Sequence, residues 1–237
     1  MKLLVTGGTG FFGRALLRRW IDDEKYGTSL PEVTVLTRSP ESFLVRYPEF
    51  FDKEWLSFHK GNILDYTSLP HNRTFTHILH GATESTIGPS LQALQRYDEI
   101  VNGTRNILDY AVKINVKRVL LTSSGGVYGP QPETLGEIPE SYLGIPDPLD
   151  RMSAYSMAKR ASEHLCCLYN DRYGVESVVA RCFSFVGQDL PLNAHFAIGN
   201  FIHDALYSTG IKVAGDGTPV RSYMNQADLA QWLLCIL

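Results

Sequence analysis

The sequence predicts an α/β fold built on a doubly wound parallel sheet. Short apolar runs alternate with helical patterns along the 237 residues, and several runs are almost continuously apolar. Strands of that kind are buried on both faces, as in a parallel sheet covered by helices. Strands that alternate with helices are joined by right-handed βαβ crossovers, and this gives a doubly wound sheet.

Six apolar runs are predicted strands, and four stretches between them are predicted helices. The strands are KLLVT (2–6), VTVLT (33–37), WLSFH (55–59), THILH (76–80), RVLLTS (118–123) and ESVVARC (176–182), and the helices are 11–22, 91–115, 153–173 and 195–208. Residues 125–148 are rich in Gly and Pro, which predicts a long surface loop. The sequence stops inside a helical pattern, DLAQWLLCIL, so we expect a truncated chain.

Composition narrows the class of protein. The chain is 44% hydrophobic and 20% charged, which is typical of a soluble globular protein, and its net charge is -3. That charge gives no reason to expect a nucleic acid or a membrane surface as partner. The four cysteines have neither CxxC spacing nor a disulfide-like arrangement, so we expect reduced thiols and a cytoplasmic location.

A glycine-rich segment, TGGTGFFG (6–13), follows the first predicted strand and opens the first predicted helix. Gly7 allows the tight turn, Gly10 lets a pyrophosphate approach the backbone, and Gly13 lets the helix pack closely. The helix N-terminus offers unpaired N–H groups to phosphates. The spacing alone is a weak signal, but its place after the first strand predicts a dinucleotide site over a plain βα turn.

The end of the second predicted strand indicates which dinucleotide is bound. An acidic residue there would bond the ribose of NAD, whereas this chain has Thr37 and Arg38. A guanidinium favours the 2′-phosphate of NADP, by about 1.5–3 kcal/mol for a charge-assisted bond. NADP is therefore favoured and NAD remains possible. The alternative is that Arg38 is a solvated surface residue.

Tyr155 and Lys159 share one face of the fourth predicted helix, and Ser124 follows a strand at the sheet edge where ligands bind. Exchange of hydride with a nicotinamide needs a group that moves a proton on the substrate oxygen. An unperturbed tyrosine has a pKa of about 10, and lowering that pKa to about 7 takes roughly 4 kcal/mol of stabilisation of the phenolate. We expect the Lys159 ammonium and the nicotinamide ring to supply this together. YxxxK alone would more often be a structural pair.

As a set, these motifs resemble the extended short-chain dehydrogenase/reductases, the NAD(P)-dependent nucleotide-sugar epimerase/dehydratase family. TGGTGFFG is similar to its TGxxGxxG, and four later blocks match in order: VNGT (101–104), TSSGGVYG (122–129), SAYSMAKRASEHL (153–165) and GDGTPVRSYMNQADLA (215–230). The resemblance implies a Rossmann-type dinucleotide-binding domain, 1–183. It also implies that 184–237 form part of a smaller substrate lobe, interleaved with that domain.

The resemblance also implies roles for individual residues. Ser124, Tyr155 and Lys159 would be catalytic, and Ser124, Ser184 and Arg221 would bind substrate. The dinucleotide would contact Gly7, Thr9, Gly10, Phe11, Phe12, Gly13, Arg38, Asn62, Ile63, Ala82, Tyr155 and Lys159. Relatives often dimerise through the helices that include the YxxxK segment, so a homodimer is expected, with Cys166 and Cys167 near its interface.

Departures from the family pattern change the expected reaction. Dehydratases and uronic-acid decarboxylases carry acidic residues directly after the Ser124 position or one further on, where this chain has Gly125 and Gly126. Without a carboxylate at these positions, proton abstraction next to the ketone has no evident base, so a dehydratase and a decarboxylase are both less favoured. The usual Asp after the third strand is Asn62, which can still bond adenine, and the Asn common after the sixth strand is Ser184.

Three functions remain open at this point. The favoured one is 4-keto reduction of a nucleoside-diphosphate (deoxy)sugar, with Tyr155 as acid/base. The second is a nucleotide-sugar 4-epimerase with tightly bound NAD. The third is a non-catalytic dinucleotide-binding regulator, although Tyr155 and Lys159 are both present. His80, His195 and His203 lack the spacing of metal ligands, so no metal is expected.

Overall fold

A computed structural model describes residues 1–83, 92–192, 194 and 196–237. Six parallel strands form the main sheet, in the order β3-β2-β1-β4-β5-β6. They are β1 (Lys2–Thr6), β2 (Glu32–Thr37), β3 (Leu56–Lys60), β4 (His77–His80), β5 (Arg118–Ser124) and β6 (Glu176–Cys182). The predicted fold class is confirmed, because this is the doubly wound order with a reversal between β1 and β4.

The helices flank the sheet and agree with the predicted stretches to within about three residues. They are α1 (Phe11–Lys25), α2 (Pro40–Arg46), α3 (Ala93–Lys113), α4 (Ala154–Tyr173), α5 (Ala197–Tyr207) and α6 (Gln226–Ile236). The predicted start of the second helix at 91, and of the last one at 195, lies outside the described residues. Helix α2 was not predicted; it is short, and Pro40 stands in its first turn.

Two apolar cores lie on opposite faces of the sheet. One contains α1 and α6 packed against β1 and β2, with Leu16, Trp20, Leu229 and Leu233 buried. The other contains α3 and α4, with Ile107, Leu108 and Leu165 buried. Helix α6 thus packs in the same core as α1, although it belongs to the segment expected to form the substrate lobe.

A second, two-stranded parallel sheet pairs β7 (Ser184–Val186) with β8 (Tyr223–Asn225). It brings the chain just after β6 next to the chain just before α6. The boundary at 183/184 stays a prediction. Among the described residues, no helix is both long and apolar enough to cross a bilayer.

The burial of Cys166 changes one part of the dimer hypothesis, which expected both Cys166 and Cys167 near the interface. Its side chain is 2% exposed and lies in the core between α3 and α4, whereas Cys167 is exposed. Only Cys167 is therefore available to an interface on the outer surface of α4.

The packing of the glycine loop gives a testable prediction. A Cβ at Gly13 would lie 2.2 Å from backbone atoms of Gly8. Gly13→Ala must therefore displace the start of α1, and we expect it to lower the free energy of unfolding by about 1–3 kcal/mol. In a thermal unfolding experiment, the melting temperature should fall by about 2–4 °C for each kcal/mol of lost unfolding free energy.

Gly136→Ala is the matched control, because a Cβ at Gly136 meets no atom within 4 Å. Equal melting temperatures for the two variants would show that the Gly13–Gly8 contact does not constrain the loop.

Candidate active site

The glycine loop joins β1 to α1 at the carboxyl edge of the sheet. Gly7 has φ +74°, and a Cβ there would lie 2.5 Å from the carbonyl carbon of Gly81, just after β4. The Gly10 N–H donates to the Gly7 carbonyl at 3.0 Å and closes the turn. The turn therefore needs glycine at position 7 both for its left-handed backbone and for the close approach of the next strand.

Helix α1 begins directly behind this turn. Gly10 is its N-cap and is exposed, and the first turn has no acidic residue. Gly10 has no side chain with which to cap the helix, so the N–H groups of the first turn keep their capacity to bind an anion. The partial positive charge of the helix end acts in the same direction. Thr9, Phe11 and Phe12 are all partly exposed at this point.

The sheet edge beyond β2 and β3 carries the residues predicted to bind the adenosine half. Arg38 is exposed, and no hydrogen bond or ion pair within the described part of the chain involves its guanidinium. The Asn62 Oδ1 accepts the Leu64 N–H at 3.0 Å, and its Nδ2 makes no hydrogen bond to the described residues. The Ile63 carbonyl is held by Asn106 Nδ2 at 2.8 Å, so this loop is fixed to α3.

A buried polar chain fixes the end of β4 relative to the glycine loop. The Thr6 Oγ1 accepts the Ala82 N–H at 3.2 Å and bonds His80 Nδ1 at 2.7 Å. On the other side of the ring, His80 Nε2 bonds Thr104 Oγ1, which also contacts Ser162 on α4. Burial lowers the pKa of His80 to about 3, so the ring is neutral and serves as a hydrogen-bonding link.

Lys159 lies at the centre of the site and is 3% exposed. Its ammonium donates to Thr83 Oγ1 at 2.7 Å and to the Thr122 carbonyl at 2.9 Å, which places it between the carboxyl ends of β4 and β5. Burial lowers its pKa to about 8, against the smaller raising effects of Cys182 and Glu163. Lys159 is therefore mostly charged at neutral pH. Thr83 is a partner that the sequence pattern did not reveal.

Tyr155 lies one helical turn before Lys159, whose Nζ is 5.9 Å from the ring centre. Burial raises the pKa of Tyr155, while a hydrogen bond with Ser124 and the charge of Arg96 lower it by less. In the free chain the net effect is therefore a raised pKa, so the protein alone does not bring the pKa of Tyr155 down toward neutral pH. Arg96, on α3, was missed in the sequence.

Ser124 ends β5, and its Oγ accepts the Gly126 N–H at 3.1 Å. A Cβ at Gly125 would lie 2.6 Å from the ring of Phe183, and one at Gly126 would lie 2.5 Å from Ser156 Oγ. A side chain at Gly125 would therefore have to displace the Phe183 ring, and one at Gly126 would have to move the Ser156 hydroxyl. Phe183 in turn stacks on Tyr128, and the Arg181 guanidinium lies 4.6 Å from the centre of the Tyr128 ring.

Of the two remaining substrate-binding candidates, Ser184 lies in the small sheet and Arg221 lies just before its second strand. Ser184 pairs with Tyr223 in the β7–β8 ladder, and Arg221 lies two residues before Tyr223. Arg221 is exposed, with its Nη1 donating to the Val220 carbonyl at 2.8 Å. Their roles stay predictions, as do those of the other candidate residues.

The buried ammonium gives a pH-dependent prediction for the free protein. An unfolded lysine has a pKa near ~10.4, whereas folded Lys159 has a pKa of about 8, so the unfolded chain binds more protons between these values. The stability of wild type relative to Lys159→Met should therefore rise with pH from about 8 to about 10.5, by up to about 3 kcal/mol.

Denaturant unfolding of both proteins across this range measures the difference, in which groups common to both cancel. A difference that stays flat with pH would contradict the buried, charged state of Lys159.

Comparison with known proteins agrees with this arrangement. The model of the NAD dependent epimerase/dehydratase family matches residues 3–237. UDP-glucuronic acid decarboxylase 3 of Arabidopsis thaliana is 27% identical over 244 residues, which cover all of this chain and 66% of that protein. UDP-glucuronic acid decarboxylase 1 of Danio rerio is 28% identical, and this chain covers 54% of it. The chain thus spans two thirds or less of these relatives.

Solved structures show the same fold. A UDP-galactose 4-epimerase is 25% identical with a TM-score of 0.74, over 99% of this chain and 70% of that one. The DesIV double mutant, a dTDP-glucose 4,6-dehydratase from Streptomyces venezuelae with NAD and DAU bound, is 28% identical with a TM-score of 0.82. That match covers 98% of this chain and 70% of the other. With its family model matched over almost every residue, the chain belongs to the NAD dependent epimerase/dehydratase family.

Proposed function

We propose that the protein transfers hydride between a nicotinamide dinucleotide and a nucleoside-diphosphate sugar, and that it works as a 4-keto reductase. The observation that carries this proposal is the cluster of Tyr155, Lys159 and Ser124 at the carboxyl edge of the sheet, beside the glycine loop. A carbonyl needs a proton donor at oxygen when hydride reaches its carbon. Tyr155, protonated in the free chain because burial raises its pKa, is suited to that role.

The residues around the strand reversal fit a dinucleotide. The exposed start of α1 would hold the pyrophosphate, Asn62 and Ile63 the adenine, and Ala82 the segment between them. Lys159 would bond the nicotinamide ribose with the third N–H of its ammonium, since the other two are directed to Thr83 and Thr122. The dinucleotide supplies the hydride when it is bound. The protein's own groups position the sugar and move the proton.

Proton transfer at the sugar oxygen would involve three side chains. Ser124 would donate a hydrogen bond to the keto oxygen and orient it, and Tyr155 would give it a proton. The phenolate left on Tyr155 would be stabilised by the charge of Lys159, the nearest buried cation on the same helix face. Arg96 adds a second positive potential at this phenol.

Gly125 and Gly126 favour simple hydride transfer over elimination or decarboxylation. Elimination needs a base that removes the proton next to the ketone, and in relatives of both types we expect an acid at these positions. Here the Phe183 ring and Ser156 occupy the space that such side chains would need. The likeness to UDP-glucuronic acid decarboxylases therefore supports a nucleotide-sugar substrate without supporting their reaction.

The exposed guanidinium of Arg38 supports NADPH as the reductant. It lies at the end of β2, and the hydroxyl of Thr37 is engaged by the Ser39 N–H at 3.4 Å. A 2′-phosphate at this edge would gain a charge-assisted bond without displacing an existing partner. A cofactor that is consumed in each turnover suits a reductase.

A 4-epimerase is the second candidate. It is favoured by the structural likeness to a UDP-galactose 4-epimerase, and it would use the same Tyr155, Lys159 and Ser124. The two candidates differ in the fate of the dinucleotide: the epimerase regenerates its NAD in place, whereas the reductase releases an oxidised dinucleotide. We also propose a homodimer and a cytoplasmic location.

Replacement of the tyrosine tests the proposed chemistry. Tyr155→Phe keeps the ring and removes the proton donor, so we expect kcat to fall by about 10²–10⁴-fold. Dinucleotide affinity should change by less than about threefold. The measurement is NADPH oxidation with a nucleoside-diphosphate 4-keto-6-deoxyhexose, together with the dinucleotide Kd. Unchanged turnover would remove Tyr155 from the mechanism, and an inactive wild type that binds dinucleotide would favour the regulator.

Arg38 tests the choice of dinucleotide. Arg38→Ser should raise the Kd for NADPH by about 10–100-fold, the equivalent of one charge-assisted bond, and leave the Kd for NADH nearly unchanged. Arg46→Ser is a control, since Arg46 is an exposed arginine at the far end of α2. If wild type prefers NADH, or the Arg38 variant loses both dinucleotides equally, the NADPH assignment is wrong.

A further inference from the structure

A buried carboxylate, Asp189, lies just after β7, and its side chain is 5% exposed. Its oxygens accept from Arg14 Nε at 2.9 Å and from Arg18 Nη2 at 3.3 Å. Gln226 completes the group: its Nε2 donates to Asp189 Oδ2, and its Oε1 accepts the Asp189 N–H at 3.2 Å. We define these four residues as the Asp189 cluster.

Two members of the Asp189 cluster also hold the glycine loop. Arg14 Nη1 donates to the Thr9 carbonyl at 2.7 Å, and Gln226 Nε2 lies 3.3 Å from the Phe11 carbonyl. These carbonyls lie on either side of Gly10. Each carbonyl shares a rigid peptide plane with the N–H that follows it, so fixing Thr9 and Phe11 fixes the directions of the Gly10 and Phe12 N–H groups. The Gly10 N–H closes the glycine turn on the Gly7 carbonyl, and the Phe12 N–H belongs to the helix start proposed to bind the pyrophosphate.

The carboxylate is what gives this arrangement its geometry. Burial alone would raise the pKa of Asp189, but hydrogen bonds from Arg18, Gln226 and Arg14 outweigh it and leave the pKa lowered. Asp189 is therefore ionised at neutral pH. An Arg14 guanidinium can donate to Asp189 and to Thr9 simultaneously because its donors form a planar fork, which a lysine lacks.

The position of Asp189 in the chain makes the contact a long-range one. It follows β7, and Gln226 follows β8 as the first residue of α6, so both are placed by the small sheet that carries Ser184. Asp189 and Arg14 are 175 residues apart in sequence. The glycine loop is thus held from behind by the part of the chain expected to bind the sugar.

We propose that Asp189 is a positioning residue that orders the glycine loop for dinucleotide binding through Arg14 and Gln226. The loop takes its binding geometry only when the segment after β7 is packed against α1. The proposal goes beyond the proposed function and does not depend on which sugar, or which reaction, the site serves. It assigns a positioning role to three residues that have no place in the glycine motif: Asp189, Arg14 and Gln226.

Arg14 and Arg18 provide a matched pair of test variants. Both bond Asp189 and both lie on α1, but only Arg14 also contacts the glycine loop; Arg18 contacts Glu49 instead. In the full chain we expect Arg14→Lys to weaken dinucleotide binding by about tenfold and Arg18→Lys by less than about twofold. Asp189→Asn should weaken it by about tenfold as well. The Kd is measured by titration with NADPH and with NADH, and the melting temperature is recorded for each variant.

A purely structural role predicts a different pattern. It would make the loss of affinity follow the loss of melting temperature, with Arg14→Lys and Arg18→Lys equivalent, and that result would overturn the proposal. So would a wild-type Kd for Arg14→Lys. If Asp189→Asn fails to fold, the arginine pair still decides the question. Because these titrations contain no sugar, inactivity toward keto sugars would count against the proposed reaction and leave this inference intact.

Discussion

The burial of one positive charge, the ammonium of Lys159, is the constraint on which the rest of the site depends. An uncompensated buried ammonium costs several kcal/mol, so the fold must surround it with acceptors. It does so with the Thr83 hydroxyl and the Thr122 carbonyl, which meet only because β4 and β5 are neighbours in a parallel sheet. The nearby carboxylate of Glu163 is engaged by Arg181 and Ser123. Because Glu163 is bonded to these other groups, the positive charge of Lys159 is not neutralised by a direct ion pair with it. In the proposed reaction that charge would stabilise a phenolate on Tyr155.

A second buried charge, Asp189, has the opposite sign and a different task. In the proposed function Lys159 would face the reacting end of the dinucleotide, while the Asp189 cluster holds the glycine loop expected to bind its phosphates. Both charges depend on contacts between residues far apart in sequence, and both are placed by packing of helices on the same sheet. The fold thus places one buried charge at each end of the site. A series of hydrogen bonds through the interior links Thr6, His80, Thr104 and Ser162.

Much of the fold could be predicted from the sequence because local patterns determine it. The near-continuous apolar runs become the six strands of a buried parallel sheet, and the glycine spacing marks the turn after β1. Helix α2, β7 and β8 were not predicted, since they are short and owe their conformation to neighbours. The pairing of β7 with β8 joins segments about forty residues apart, so no local hydrophobic pattern in the sequence predicts it.

The site was predictable only where a motif carries the chemistry. Tyr155, Lys159 and Ser124 are visible because their spacing and their place after a strand can be read directly. Thr83, Arg96 and Asp189 could not be found in that way, because each acts through a contact made in three dimensions. The expected lowering of the Tyr155 pKa by Lys159 also needed the structure, since the outcome depends on how deeply the phenol is buried.

Hydride transfer from an exchangeable dinucleotide to the sugar is the central claim, and isotope transfer tests it most directly. NADPH carrying deuterium at both positions of nicotinamide C4 would be incubated with the protein and a nucleoside-diphosphate 4-keto-6-deoxyhexose, and the sugar nucleotide analysed by mass spectrometry. The account predicts one deuterium in the product for each NADPH oxidised. A product formed without deuterium, or no oxidation of NADPH by a protein that binds both ligands, would contradict it.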